Sequence, residues 1–434
     1  MSVDQERFFM NGQTRFKEVD SVSGTMDQEA GVGLGPTFNS NQCSSCHSQP
    51  AVGGSSPSQN AFPFIGHNPQ VVVATLHNAS NRLPFFITLD GPVREARFKF
   101  AVNPDGTLSN VRDGGVHDLF TIMGRTDATN AKGTNGRLQT CQLQQPDFEK
   151  AQDVNNLSLR IPTPVFGAGL IENIDEDTIL DNMTASAEAK RALGISGHAN
   201  RNGNDGTITR FGWKAQNKSL QLFAAEAYNV EMGVTNEVFP SERGFPPNSL
   251  PDSCNFNSTP EDTTNLLANG ADTATVPSDV AQFSTFMRLL DQPKPACKGS
   301  DCSASIQNGR KLFVETVKCA LCHTPTLTTV ASPYVPALSN VKANLFSDVL
   351  VHHMGSGLAD DIVQGGAGPD EFRTAPLWGV GQRVFFLHDG RTSDLLDAIR
   401  QHASPGSEAN GVIRRFNGLT ESQKQDLLNF LRSL

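Results

Sequence analysis

The chain is expected to fold as a mainly α-helical protein of two units, the first carrying a small β insertion. Three observations lead there. The pentapeptide Cys43-Ser44-Ser45-Cys46-His47 returns in kind as Cys319-Ala320-Leu321-Cys322-His323, so one kind of unit is used twice. Around the second copy, apolar residues fall at helical spacing. Between residues 71 and 100 they fall instead in short β-branched and aromatic runs.

Cys-x-x-Cys-His is the spacing of c-type haem attachment. Two thiols three positions apart can each add to one vinyl group of a haem, and the following histidine is then held within reach of the iron. Cys43, Cys46, Cys319 and Cys322 are therefore the candidate attachment residues, with His47 and His323 the candidate iron ligands. Covalent attachment lets an iron keep one axial position open for a reactant. The competing readings are a zinc ribbon and a thioredoxin-like site. A ribbon needs its second Cys pair within about 15–20 residues of the first, whereas Cys43 and Cys319 lie 319 − 43 = 276 positions apart.

The elements can be justified in order. Val71–Leu76 is an apolar, β-branched run, and Phe85–Leu89 and Val93–Phe100 are strand candidates joined by a Gly91-Pro92 turn. Gln216–Met232 reads as a helix carrying Leu220, Phe223, Ala224 and Ala227. Asp279–Leu290 reads as another, with Val280, Phe283, Phe286, Met287 and Leu290 on its apolar side. Residues 240–278, rich in Pro, Ser, Asn and Asp, form a surface excursion. Ser303–Val317 places Ile306, Leu312, Phe313 and Val317 on one stripe. The last helix opens with the capping box Thr420-Glu421-Ser422-Gln423, and Leu427, Leu431 and Leu434 then share one face. A helix before the haem motif and another at the C-terminus make the skeleton of a small cytochrome c-like domain. The expected domains are residues 1–292, with the β insertion and the excursion, and residues 298–434, entered through Pro293-Lys294-Pro295.

With 434 residues and a net charge of −10, the chain lacks the basic balance that nucleic-acid binding requires. No apolar run approaches the ~20 residues that span a bilayer. Met1–Asp20 shows no apolar leader core; because c-type haems are attached outside the cytoplasm, a trimmed leader and a periplasmic or secreted location are expected. Eight cysteines less four haem thiols leave Cys141, Cys254, Cys297 and Cys302. Cys297 and Cys302 bracket a short turn and are expected to pair, leaving Cys141 for Cys254, against the alternative of four unpaired buried thiols.

Further segments carry a resemblance. They are Gly33–Asn39 (GLGPTFN), Arg160–Glu172 (RIPTPVFGAGLIE), Arg210–Ala215 (RFGWKA), His352–Gly355 with Gly357–Asp360, Phe372–Gly379 (FRTAPLWG) and Phe386–Arg391 (FLHDGR). In this order, from about Gly33 to Ala403, they resemble the di-haem oxidoreductase family of peroxidases, related to the bacterial di-haem cytochrome c peroxidases and to MauG-type enzymes. The resemblance implies two haems and reduction of hydrogen peroxide at the N-terminal one, the haem of His47. Electrons would arrive through the C-terminal haem from an external donor such as a small cytochrome or a cupredoxin. The rival functions are a haem-dependent oxidase or oxygenase of an organic or protein substrate, and a non-enzymatic di-haem electron carrier.

The resemblance also suggests site residues. Glu172 matches the stretch that carries the relatives' distal glutamate and is the candidate acid/base; the alternative is an exposed carboxylate at a helix N-terminus. Pro164 is a candidate for the distal wall. Where the related peroxidases place a methionine, His402 stands 14 positions after His388 and is the candidate sixth ligand of the second iron, with Met354 as its rival. Trp213 and Trp378, the only tryptophans, are candidates for an electron relay or for ordinary core. Arg373 and Arg391 are candidates for haem propionates or for solvated charges. His67, His77, His117 and His198 read as surface or core histidines. Calcium, as in some relatives, has a candidate segment in Asn200–Gly206, which lacks EF-hand spacing.

Overall fold

The computed structural model describes residues 1–56, 67–103, 105–129, 141–244, 250–254, 257–265, 276–332 and 335–434. Helix makes up 34% and strand 13%, so the class is mainly helical with small sheets, as expected. The chain divides into two compact units. The first comprises Ser2–Pro164 and Gln221–Phe286 and carries Cys43–His47; the second comprises Val165–Leu220 and Met287–Leu434 and carries Cys319–His323. Residues 165–220, read from sequence as part of the N-terminal domain, group with the second unit, and the last crossing at 286/287 precedes the Pro293–Pro295 linker.

In the first unit, the helix Val3–Phe16 was not foreseen. Its signal is the capping box of Ser2 and Gln5, in which each side chain takes the other's main-chain N–H. Phe9 and Phe16 pack on Phe286 of the helix Asp279–Leu289, at ring separations of 5.3 and 5.0 Å. The crossing is made at Gly12, where an added Cβ would stand 2.4 Å from the Gln282 carbonyl oxygen. Asp262 starts the partner helix by accepting from Asp279 N and Val280 N at 2.7 and 3.0 Å.

The β insertion is real but smaller than the apolar runs suggest. Glu95–Phe98 is the central strand of a three-stranded antiparallel sheet, flanked by Val116–His117 and Leu157–Arg160. Phe100–Val102 forms a ladder with Leu108–Arg112. The run from Val71 is no strand: Gln70–Val73 is one helical turn, begun at Pro69 and held by Asn68 Oδ1 on Gln70 N at 3.0 Å. Phe85–Leu89 is a turn closed by Ile87 N on the Pro84 carbonyl, and Phe86 is buried edge-on against Phe148 at 5.4 Å. Side-chain anchoring, not ladder pairing, accounts for its apolar character. The foreseen helix from Gln216 begins only at Leu220, because Asn217 pairs with Phe211 through the main chain.

The second unit repeats the helix-crossing device. Ser303 caps the helix Ala304–Lys311, whose hydrogen bonding widens by one residue over Leu312–Thr316. This helix meets Glu421–Arg432 at Gly309, where an added Cβ would lie 2.0 Å from the Asp426 main-chain oxygen. The Thr420–Gln423 capping box forms as predicted. Leu312, Phe313, Val317, Phe416, Leu427, Phe430 and Leu431 make one core with Phe346 and Leu321. No helix among the described residues is long and apolar enough to cross a membrane.

Candidate haem sites

Cysteine chemistry separates cleanly. Cys141 pairs with Cys254 and Cys297 with Cys302, each within one unit, while Cys43, Cys46, Cys319 and Cys322 remain thiols. Burial pushes Cys46 up to about 11 and Cys319 up to about 12, and raises Cys43 well above its ordinary value.

Both motifs adopt the same turn. His47 N bonds the Cys43 carbonyl at 3.0 Å and His323 N the Cys319 carbonyl at 2.9 Å, so each histidine follows its cysteines by one helical step. His47 Nδ1 then meets the Gly54 carbonyl at 3.1 Å, and His323 Nδ1 meets the Phe346 carbonyl at 2.9 Å. A carbonyl only accepts, so Nδ1 carries the proton in both rings, which in a neutral ring leaves the lone pair on Nε2; the Thr163 carbonyl also faces the His47 ring. Phe346 has φ +51°, rare for a bulky residue, and it is held there by packing on Phe313 and Phe430. That strained backbone aims the carbonyl at His323.

The ten histidines sort by partner. Six face carboxylates: His67 on Asp90, His77 on Glu29, His117 on Asp113, His198 on Glu371, His353 on Asp370, and His352 between Asp348 and Glu408. His388 stacks on Phe372 at 4.4 Å. The remaining three, His47, His323 and His402, have Nδ1 on a main-chain carbonyl and, among the described residues, no carboxylate on the ring; for His402 it is the Ala398 carbonyl at 2.8 Å. Burial pulls His47 and His323 down to about 4, and His402 adds to the depression at His323, as two neighbouring imidazoles must. His402 is itself lowered by burial. Met354 follows the strand Val351–His353 and is half-buried.

Arg373 is buried and Arg383 half-buried, and the two lie near enough to influence each other. Arg373 Nε donates to the Gly212 carbonyl at 3.0 Å and Arg383 Nη2 to the Pro376 carbonyl at 2.9 Å; among the described residues neither has a carboxylate. Burial lowers both to about 10, and Arg383 adds to the effect at Arg373. Two neighbouring, desolvated guanidiniums without a counter-ion fit the two propionates of a haem. Arg383 was missed in the sequence, since nothing local distinguishes it. Arg391, by contrast, pairs with Asp389 at 2.7 Å.

Glu172 closes the short helix Ala168–Glu172 in the second unit, half-buried, so it is not the exposed helix-start carboxylate of the alternative reading. It accepts from Arg288 Nε at 2.6 Å, Arg288 Nη2 at 3.2 Å and Leu220 N at 2.8 Å. Trp378 is buried against Gly167, and Trp213 stands edge-on to His388 at 6.4 Å. Pro164 is the last residue of the first unit's long segment. In Asn200–Gly206, Asn200, Asn202 and Asp205 all use side-chain oxygens within the protein, on Gly366 N, Asn204 N and Thr207 N respectively.

Paired thiol-and-imidazole motifs on a mainly helical frame define a haem-dependent redox protein. The chain belongs to the di-haem oxidoreductase family: residues 112–434 match the family described as "Di-haem oxidoreductase, putative peroxidase", which makes it an enzyme and implies haem cofactors. The match contains Cys319–His323 and leaves out residues 1–111. No curated protein sequence matches. Among solved structures, a MauG-like protein associated with microbial copper homeostasis is 16% identical, with 60% of this chain and 89% of that one covered and a TM-score of 0.31. The di-haem peroxidase BthA of Burkholderia thailandensis is 14% identical, with coverage of 36% and 50% and a TM-score of 0.26. Hydrazine synthase of Kuenenia stuttgartiensis is 20% identical, with coverage of 36% and 55% and a TM-score of 0.26, so the chain spans about half the length of these last two.

Proposed function

We propose that the chain is a periplasmic or secreted di-haem c-type oxidoreductase that reduces hydrogen peroxide to water. Two electrons and two protons are consumed for each peroxide. The first haem would be held by Cys43, Cys46 and His47, and the second by Cys319, Cys322, His323 and His402, with Arg373 and Arg383 on propionates. When bound, the haem irons supply peroxide cleavage and electron storage. The chain's part is to orient and to move protons. The carbonyls of Gly54 and Phe346 fix the tautomer of each ligand ring and increase its basicity. Glu172 is the proposed acid/base, carrying a proton from the near to the far peroxide oxygen. Electrons would enter from a small cytochrome or cupredoxin through the second haem, with Trp213 and Trp378 as the proposed relay.

One observation carries this reading: His47, His323 and His402 each commit Nδ1 to a main-chain carbonyl, and among the described residues none of these three rings bonds a carboxylate. A second iron held by His323 and His402 would be suited to electron transfer, whereas a first iron held by His47 alone would be open to peroxide. Optical spectroscopy of the half-reduced holoprotein tests it. The expected result is one high-spin and one low-spin haem, the high-spin signal changing on addition of peroxide. Two low-spin haems indifferent to peroxide would identify an electron carrier instead.

A further inference from the structure

The first unit buries a phenol that the proposed reaction does not use. Tyr228 lies on the helix Leu220–Met232 and is 4% exposed. Its hydroxyl donates to Asp20 Oδ2 at 3.2 Å, and the Asp279 carboxylate shares the same hydroxyl. One helical turn on, Met232 Sδ meets Cys43 Sγ at 3.7 Å, so this face of the helix looks onto the first Cys-x-x-Cys-His.

An unbroken aromatic path joins the phenol to the proposed iron ligand. Tyr228 packs edge-on against Phe283 at 5.0 Å, Phe283 against Phe16 at 6.2 Å, and Phe16 against the ring of His47 at 6.0 Å. Packing alone would be met by phenylalanine. A buried tyrosine hydroxyl set between two carboxyl groups costs desolvation on all three, so the arrangement calls for a use.

We propose that Tyr228 is a redox-active tyrosine that supplies an electron toward the first haem while its phenolic proton passes to the Asp20–Asp279 carboxyl pair. The proposal rests on the reading that peroxide reacts at that haem. In the step, the Tyr228 O–H bond breaks. The electron goes to the oxidising equivalent left by peroxide, which is thereby reduced, and the proton goes to the carboxyl pair. One electron from the external donor, with return of the proton, restores the phenol. A neutral tyrosyl radical forms readily only where a base takes the proton, and the pair provides one. Burial raises Asp20 well above its ordinary value, with Glu18 adding to it. Burial also lifts Asp279, but Arg15 at 3.2 Å opposes the rise and leaves it at about 6, ionised at neutral pH.

The test is freeze-quench electron paramagnetic resonance of the natively matured holoprotein after addition of hydrogen peroxide, alongside the optical spectrum. An organic radical is expected that narrows when the protein is grown on ring-deuterated tyrosine. It should be lost in Tyr228→Phe, persist in Tyr334→Phe, the only other tyrosine, and weaken in Asp279→Asn. A tyrosyl signal surviving in Tyr228→Phe overturns the proposal, as does a haem that responds optically to peroxide with no tyrosine-derived radical; in both cases the peroxidase reading stands. No optical response at all overturns both.

Discussion

Replacing Glu172 with glutamine separates a proton-carrying carboxylate from a structural one, and the structure sets both magnitudes. Three N–H groups point at the carboxylate, two from Arg288 and one from Leu220, leaving about one of its roughly four lone-pair sites for a reactant. Glutamine can keep the bond to Leu220 N but turns an amide NH2 toward Arg288. Charge-assisted bonds of this kind contribute about 1.5–3 kcal/mol when buried. With Glu172 and Arg288 side chains 21% and 29% exposed, about 1–2 kcal/mol is expected. That leaves a domain of ordinary stability folded. Loss of acid/base help, in contrast, should slow peroxide turnover about 10²–10⁴-fold, or about 3–5 kcal/mol on the barrier. Steady-state peroxide consumption with an artificial donor, read beside a guanidinium midpoint, distinguishes the two. Arg288→Leu is the control: it should lower the midpoint similarly yet leave turnover largely intact. Full turnover in Glu172→Gln, or equal losses in both variants, would refute the acid/base assignment.

His402→Gly should convert the second iron from low to high spin in the optical spectrum, while Met354→Ala leaves it low-spin; the reverse pattern would make Met354 the ligand. Gly309→Ala should lower the denaturation midpoint at constant m value, because overpacking costing about 1–3 kcal/mol exceeds the ~1 kcal/mol gained in helix propensity; a raised midpoint would mean the helices do not meet there. Burial opposes ionisation of Glu408, but His352 and Ser196 hold it down to about 2, so its stabilisation is complete above the ordinary value of 4.5 and fades as pH falls through 2. Acid unfolding of Glu408→Gln, followed by circular dichroism, should therefore be shallower between pH 4.5 and 2, and an unchanged slope would exclude the linkage.

What could be seen in the sequence was local. The two pentapeptides, the Thr420 capping box and the pairing of Cys297 with its neighbour all act within a few residues, and each is found as expected. The Ser2 capping box is equally local, but reading Met1–Asp20 for an apolar leader core alone does not register it. Val71–Val73 misled because β-branched residues favour strands only when a partner strand is available, and Pro69 with Asn68 had already committed the backbone to a helical turn. The sites were legible only in part, for a related reason. Cys-x-x-Cys-His names the proximal ligand, but the carbonyl that orients it is 7 residues away for His47 and 23 for His323, and no pattern links them.

The same reasoning bears on the second iron. From sequence, His402 has Met354, flanked by His352 and His353, as its rival. Folding gives His352 and His353 acidic partners: His352 lies buried between Asp348 and Glu408, and against the opposing effect of burial Asp348 and Cys322 raise it well above its ordinary value. A charged imidazole has no lone pair for iron. His402 is instead drawn down by burial, stays neutral, and has its Nδ1 fixed on Ala398. It also lies near enough to His323 to depress that ring. A neutral imidazole with one nitrogen committed, close to the proximal histidine and without a carboxylate, meets the chemical requirements of a sixth ligand. What favours His402 as the proposed ligand is therefore what surrounds each histidine, which is decided by tertiary contacts, and not its spacing to the motif.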